Sequence, residues 1–275
     1  MSKLYVVGTP IGNLGDFSPR AVETLQSVDF IAAEDTRVTL KLLNRFGIKK
    51  SMVSYFEHNK RERGEMITSR ILGGESCALV TDAGMPAISD PGEDLVRLCH
   101  EKGIRVESVP GPCAFTTALA LSGFPSGRFT FEGFLSVNKP SRREHLHSLE
   151  NETRTMLFYE APHKLGATLR DMNKVFGNRE IAIVREITKL HEEVIRTTLD
   201  EAVEKYADGS VKGEIVLVIK GAEKAESGDE MTFEQAVECA KRSVKDGMSV
   251  SEAAKQAAKL SGFKKGDIYK SLIGE

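Results

Sequence analysis

The residues best able to do chemistry stand where short apolar runs end. "AAEDTR", Ala32 to Arg37, closes one such run with Glu34, Asp35 and Arg37. Two carboxylates and a guanidinium at a strand end can orient or deprotonate a hydroxyl; equally, Asp35 or Thr36 can cap the following helix with an Asp–Arg pair beside it. Three further runs end in glycine, proline and small polar residues: "VVGTPIGN", "LVTDAGMPAISDPG" and "SVPGPCAFTT". Gly8, Gly12 and Gly15 give G-x3-G-x2-G rather than the G-x-G-x-x-G of a dinucleotide turn, and no Lys-Ser/Thr pair follows. Phosphate is therefore not the ligand these glycines indicate. The three loops offer Thr9, Asn13, Thr81, Asp82, Ser89, Thr116 and Thr117 with almost no lysine or arginine, which suits a neutral or zwitterionic small molecule. Such loops at the carboxyl ends of strands predict one shared crevice.

Other chemistry-bearing residues point less sharply. "FYEAPHKL" ends a buried run in Tyr159 and Glu160, and His163 there reads as a surface or capping histidine. His145 and His147 lie two apart, so a helix points them to different faces and they make a poor metal pair. The four cysteines, Cys77, Cys99, Cys113 and Cys239, lack C-x-x-C spacing, which disfavours zinc and a disulfide framework; no metal is expected. "VNKPSRREHLHSL" places Lys139, Arg142 and Arg143 at a helix start, and residues 255–275 carry five lysines against two acidic residues. Either set reads as a solvated face or as a contact for a phosphate backbone.

These residues need a frame to hold them. The first half alternates β-branched runs with helical patterns, which predicts a mostly parallel sheet with helices on its faces. Ser18-Pro19 marks one helix start, and Asp90-Pro91-Gly92-Glu93 reads as another, with Asp90 as cap and Pro91 at the first helical position. From "RFTFEGF" onward several strands follow one another without a full helix between, so the second sheet is expected to be mixed. "SGFPSG" reads as the linker between halves, and "AEKAESGDEM" as a tether to about three short helices. The expectation is α/β in three parts: 1–121, 122–221, and a helical appendage with its tether over 222–275. A net charge of −2 predicts no global attraction to nucleic acid, so any polyanion is met by a local patch. No apolar run is long enough for a membrane span and no signal peptide is evident, which makes the cytoplasm the expected address.

"GTPIGNLGDFSPRAVETL", "DFIAAEDTR", "TDAGMPAISDPG", "VPGPCA", "FEGFL", "FYEAPHKL" and "KGEIVLVIKG" stand in one order between Lys3 and Gly221. Together they closely resemble a family of small-subunit ribosomal RNA methyltransferases within the tetrapyrrole methylase superfamily. The resemblance implies two α/β domains with S-adenosylmethionine between them, a homodimer, and methyl transfer to the ribose 2'-hydroxyl of a cytidine in the decoding region of 16S rRNA, within the small ribosomal subunit. It implies cofactor contacts at Pro10, at Asp82, Ala83 and Gly84, at Ala114 and Thr117, at Tyr159, and around Gly213 to Ile215. Where the superfamily carries Gly-Asp-Pro, this chain reads Asp82-Ala83-Gly84. For that reaction Asp35 and Glu34 are the base candidates, Arg37 positions substrate, and Lys139, Arg142 and Arg143 meet RNA. The rival readings are the same fold acting on a tetrapyrrole or a protein side chain, or a non-enzymatic RNA-binding factor.

Overall fold

Four-residue strands with few polar positions need cover on both faces, and the first sheet receives it. The computed structural model describes residues 2–207, 211–223, 231–245 and 247–274. Strands β1 (Leu4–Val7), β2 (Phe30–Ala33), β3 (Ser51–Ser54), β4 (Cys77–Val80) and β5 (Val106–Val109) form a parallel sheet ordered β3-β2-β4-β1-β5. Alternate side chains divide between two cores. Leu4, Phe30 and Leu79 pack against α3 (Lys60–Leu72) and α4 (Glu93–Glu101). Val7, Ile31 and Val80 pack against α1 (Pro19–Ser27) and α2 (Thr36–Arg45). Ser18 caps α1, its side chain accepting from Ala21 N, with Pro19 at the first helical position as expected. The β3 strand and α3 carry no strong sequence punctuation and are additions to the sequence reading.

The second sheet is mixed, as its closely spaced strands predict. Its members are β6 (Phe129–Phe134), β7 (Thr155–Glu160), β8 (Glu180–Arg185), β9 (Glu193–Thr198) and β10 (Ile215–Ile219), ordered β6-β7-β10-β8-β9. Only the β6–β7 pair is parallel. One face is covered by α6 (Lys139–Ser148), α7 (Leu165–Phe176) and α8 (Leu199–Lys205). The other is covered by α5 (Ala114–Ser122), the helix that leaves the last strand of the first sheet. Ala118 and Leu119 of α5 share a core with Leu157, Val184 and Val216, and Ile11 from the first loop joins it. The two sheets accordingly belong to one compact unit, Met1–Gly221, with Gly123 to Arg128 leading from α5 into β6.

Ala222–Glu275 forms a second unit. Its helices α9 (Phe233–Lys245), α10 (Val250–Ser261) and α11 (Lys265–Ile273) close around Ala236, Ala240, Ala253, Ala257 and Ile268. Ser249 caps α10 by accepting from Glu252 N, and Gly262 ends it in the left-handed region. Most of the expected tether lies outside the described residues.

At the carboxyl ends of β1, β4 and β5 the three glycine-rich loops lock together. Thr9 and Gly84 exchange both backbone hydrogen bonds, at 2.9 and 3.2 Å, and Thr9 Oγ1 donates to Thr81 O at 3.2 Å. Gly8 N donates to Val109 O at 3.0 Å, and the Gly8 backbone lies flat on Gly111. A Cβ at Gly8 would stand 2.7 Å from Gly111 Cα and from Met85 Sδ. Gly8→Ala is therefore expected to cost about 1–3 kcal/mol by overpacking, read as a lower Tm in a calorimetric scan, and to weaken ligand binding at the same loops.

Candidate active site

The locked loops form one wall of a cleft of about 360 Å³, and the second sheet forms the other. Ile11, Ala83, Gly84, Met85, Cys113 and Ala114 come from the loops. Tyr159, Ile187, Ile215 and Val216 come from the second half, and Phe134 stands at the rim. The lining is mostly apolar, and among the described residues it holds three carboxylates, Asp90, Glu160 and Glu214, and no lysine, arginine or histidine. An apolar slot with a few placed polar groups is the usual form of a small-molecule site.

Of the expected cofactor residues, Ala83, Gly84, Ala114, Tyr159 and Ile215 line this cleft. Four others are not among the residues that line it. Pro10 lies between Thr9 and the lining Ile11. Asp82 faces the loop after β2, its Oδ1 accepting from Asp35 N at 3.2 Å. Thr117 turns its hydroxyl onto its own helix, donating to Cys113 O at 2.9 Å. Gly213 sits in the left-handed region, φ 90°, where a Cβ would strike Glu186, so it shapes the turn that presents Glu214.

The carboxylates of "AAEDTR" divide by environment. Asp35 is the N-cap of α2: it accepts from Arg37 N at 2.8 Å and holds the Arg37 guanidinium at 3.0 and 2.6 Å. These bonds, the guanidinium first, hold its pKa down at about 2. The capping alternative is realised, and a carboxylate so engaged has little proton affinity. Glu34 is different: burial raises its pKa, and its Oε2 accepts from Asp82 N at 3.4 Å. Burial also raises Asp82.

Asp90 corrects the sequence reading in another way. It is not the cap of α4; that helix begins at Glu93 behind Gly92. The loop first folds back, so that Ala87 N lies 2.9 Å from where a Cβ on Gly92 would sit. Ala87 and Ser89 adopt left-handed backbone, φ 67° and 64°, a conformation that costs a non-glycine residue energy and is concentrated at functional sites. The detour turns Asp90 into the cleft. There burial, and then the negative charges of Glu34 and Asp82, push its pKa up to about 6. D-P-G-E matches a helix start so well that sequence alone conceals this role.

The residues of the basic helix start differ in exposure. Arg142 is only 11% exposed and pairs with Asp171 at 2.5 Å, so it fastens α6 to α7 and is withdrawn from solvent. Lys139 and Arg143 stay exposed. His145 is bound to Glu132 at 2.9 Å, apart from His147. Among the described residues no group of three or more His, Cys, Asp or Glu converges as a metal site.

Comparison with known proteins gives this geometry its context. The family model for tetrapyrrole (corrin/porphyrin) methylases matches residues 3–203. The ribosomal RNA small subunit methyltransferase I of Synechocystis sp. is 44% identical over 98% of this chain and 96% of its own. The chain belongs to that family. The Thermotoga maritima member is 49% identical over 81% of this chain and all of its own. Uroporphyrin-III C-methyltransferase from Thermus thermophilus, solved with S-adenosylhomocysteine, shares the fold at a TM-score of 0.55 and 17% identity, covering 79% of this chain and 97% of that one.

The cleft residues fit S-adenosylmethionine, the methyl donor of such enzymes. Its sulfur is cationic, and the cleft presents carboxylates with no competing cation among the described residues; the flat faces of its adenine ring suit the apolar side chains of Ile11, Met85, Tyr159 and Ile215. The glycine contact of Gly8 and Gly111 keeps backbone, not side chain, at the loop junction.

Asp90 also makes stability depend on pH. Its folded pKa of about 6 lies above the ordinary 3.8, so the folded state binds the extra proton between those values. Stability contributed by that proton is present below about pH 4 and lost as pH rises through 6. Asp90→Asn is therefore expected to raise Tm at pH 7.5, with the gain vanishing toward pH 4, as read by calorimetric scans across that range.

Proposed function

We propose that this chain transfers the methyl group of S-adenosylmethionine to the ribose 2'-hydroxyl of a cytidine in the decoding region of 16S rRNA, within the small ribosomal subunit. Membership of the ribosomal RNA small subunit methyltransferase I family makes it a methyltransferase, and the observation that carries the RNA substrate is the 44% identity to the Synechocystis protein over nearly both full lengths. The cytidine and the ribose oxygen rest on the motif resemblance. The same resemblance supports a homodimer in the cytoplasm; among the described residues no helix is long and apolar enough to cross a membrane.

When bound, S-adenosylmethionine supplies a methyl group on a positively charged sulfur. What the protein must chiefly do is hold the attacking oxygen in line with that methyl, because alignment removes most of the entropic barrier to displacement. Ala83, Gly84 and Ala114 on the loop wall, with Tyr159 and Ile215 opposite, confine the donor. A ribose hydroxyl is a weak nucleophile, so a carboxylate that takes its proton as the oxygen–carbon bond forms speeds the step. Asp90 suits that role. It faces the cleft, no hydrogen bond or cation among the described residues stabilises its charge, and it is ionised yet basic near neutrality. Burial, and then the charges of Glu34 and Asp82, keep it so. Arg37, with its side chain 87% exposed beside Asp35, is available to a substrate phosphate, as are Lys139 and Arg143.

The test is methylation of small subunits lacking the modification, followed by mapping of the methylated nucleotide. A methyl on a base, or no incorporation, removes the specific acceptor. Asp90→Asn is expected to lower kcat by about 10²–10⁴-fold with S-adenosylhomocysteine affinity retained in calorimetry, and the wild-type kcat is expected to fall as pH drops below about 6, where Asp90 gains its proton. Replacing Lys139 and Arg143 together by Ala is expected to weaken RNA binding and to flatten its salt dependence, since each phosphate contact contributes to the slope.

A further inference from the structure

We infer that Phe134 is the stacking platform for the nucleobase of the methyl acceptor. Phe134 ends β6 at the rim of the cleft and is 60% exposed although it lines the cavity. Its direction is set by a bulge. Phe131 pairs with Leu157, Gly133 with Phe158 and Phe134 with Tyr159, so Glu132 is an extra residue in the strand. In an unbroken strand, positions three apart point to opposite faces. The extra residue, with Gly133 at φ 63°, puts Phe134 on the same face as Phe131 and Tyr159. Re-aiming one side chain beside an active site is a recurrent use of bulges.

The ring is rigidly backed. Phe134 lies 5.4 Å from Tyr159, Phe131 lies 5.0 Å from the same tyrosine, and Phe131 stacks on Phe115 of α5 at 4.3 Å. This row ties the rim to the core between the sheets, while the last ring stays open to solvent. An exposed aromatic on a stiff support, at the mouth of a methyl-donor cleft, is how proteins seat an unstacked base. The occupant is argued from position and charge. If the acceptor is a sugar hydroxyl, as proposed above and on which this inference rests, the ribose enters the cleft and its base is left at the mouth, against Phe134. Exposed Lys139 and Arg143 on α6, which starts five residues after Phe134, are placed for the flanking phosphates.

The experiment compares Phe134→Ala, Phe134→Leu and Phe134→Tyr with wild type in the full chain. It measures kcat/KM on unmodified small subunits, RNA affinity in the presence of S-adenosylhomocysteine, S-adenosylhomocysteine affinity alone, and sedimentation. Stacking predicts a loss of about 10–100-fold in kcat/KM and a matching loss in RNA affinity for Ala and Leu. It predicts near-complete recovery for Tyr, with S-adenosylhomocysteine affinity and oligomeric state unchanged in all three. Activity of the Ala variant equal to wild type overturns the inference, as does Leu performing as well as Tyr, which would mark a merely apolar cover. A parallel loss of S-adenosylhomocysteine binding would make Phe134 a wall of the donor site, and a change in sedimentation would make it a subunit contact; each overturns it too. If wild type binds S-adenosylhomocysteine but does not methylate the subunits, the proposed activity itself is wrong and the stacking role falls with it.

Discussion

The contact of Gly8 with Gly111, backbone on backbone, is the constraint on which the cleft depends. It brings the loops after β1 and β5 closer than any side chain allows, and the Thr9–Gly84 pair then draws in the loop after β4. The main-chain hydrogen bonds between Thr9 and Gly84 and from Gly8 to Val109 hold this wall together before any ligand arrives. A binding wall that needs no reordering spends little of the ligand's binding free energy on closure. The glycines that suggest phosphate in other folds serve here to let three loops meet.

Electrostatics then sorts the acids around that wall. Asp35, tied to Arg37 and the start of α2, keeps its charge at low cost. No cation among the described residues offsets the charge of partly buried Glu34 and Asp90, and Arg37 offsets that of Asp82 only in part; burial raises the pKa of all three. The difference arises from a single turn of chain: Asp35 meets backbone N–H groups and a guanidinium, whereas Asp90 is carried past its helix by the strained run from Ala87 to Ser89. Chemically identical side chains thereby acquire different roles.

Much of this was legible in the sequence because local signals agreed with the global fold. Ser18-Pro19 and the alternating runs of both sheets act through neighbours in the chain, and the structure follows them. The three punctuated loops pointed to the cleft, and Ala83, Gly84, Ala114, Tyr159 and Ile215 lie in it. What was hidden depends on partners far away in sequence or on backbone strain. Asp171, twenty-nine positions beyond Arg142, decides that Arg142 turns inward. The fold-back onto Gly92 decides that Asp90 does not cap. The bulge at Glu132 decides where Phe134 points, and a strand pattern read with period two places it on the wrong face.

Helix α5 carries a last consequence. It leaves the first sheet yet packs on the second, sharing a core with strands β7, β8 and β10. The cleft walls are therefore not two modules that meet by chance of a linker. Denaturation of Met1–Gly221 should behave as one cooperative event, because unfolding either half strips α5 of its cover. A chain cut at Pro125 would yield an N-terminal fragment with an uncovered apolar helix, and solubility, more than connectivity, would limit any attempt to divide the enzyme there.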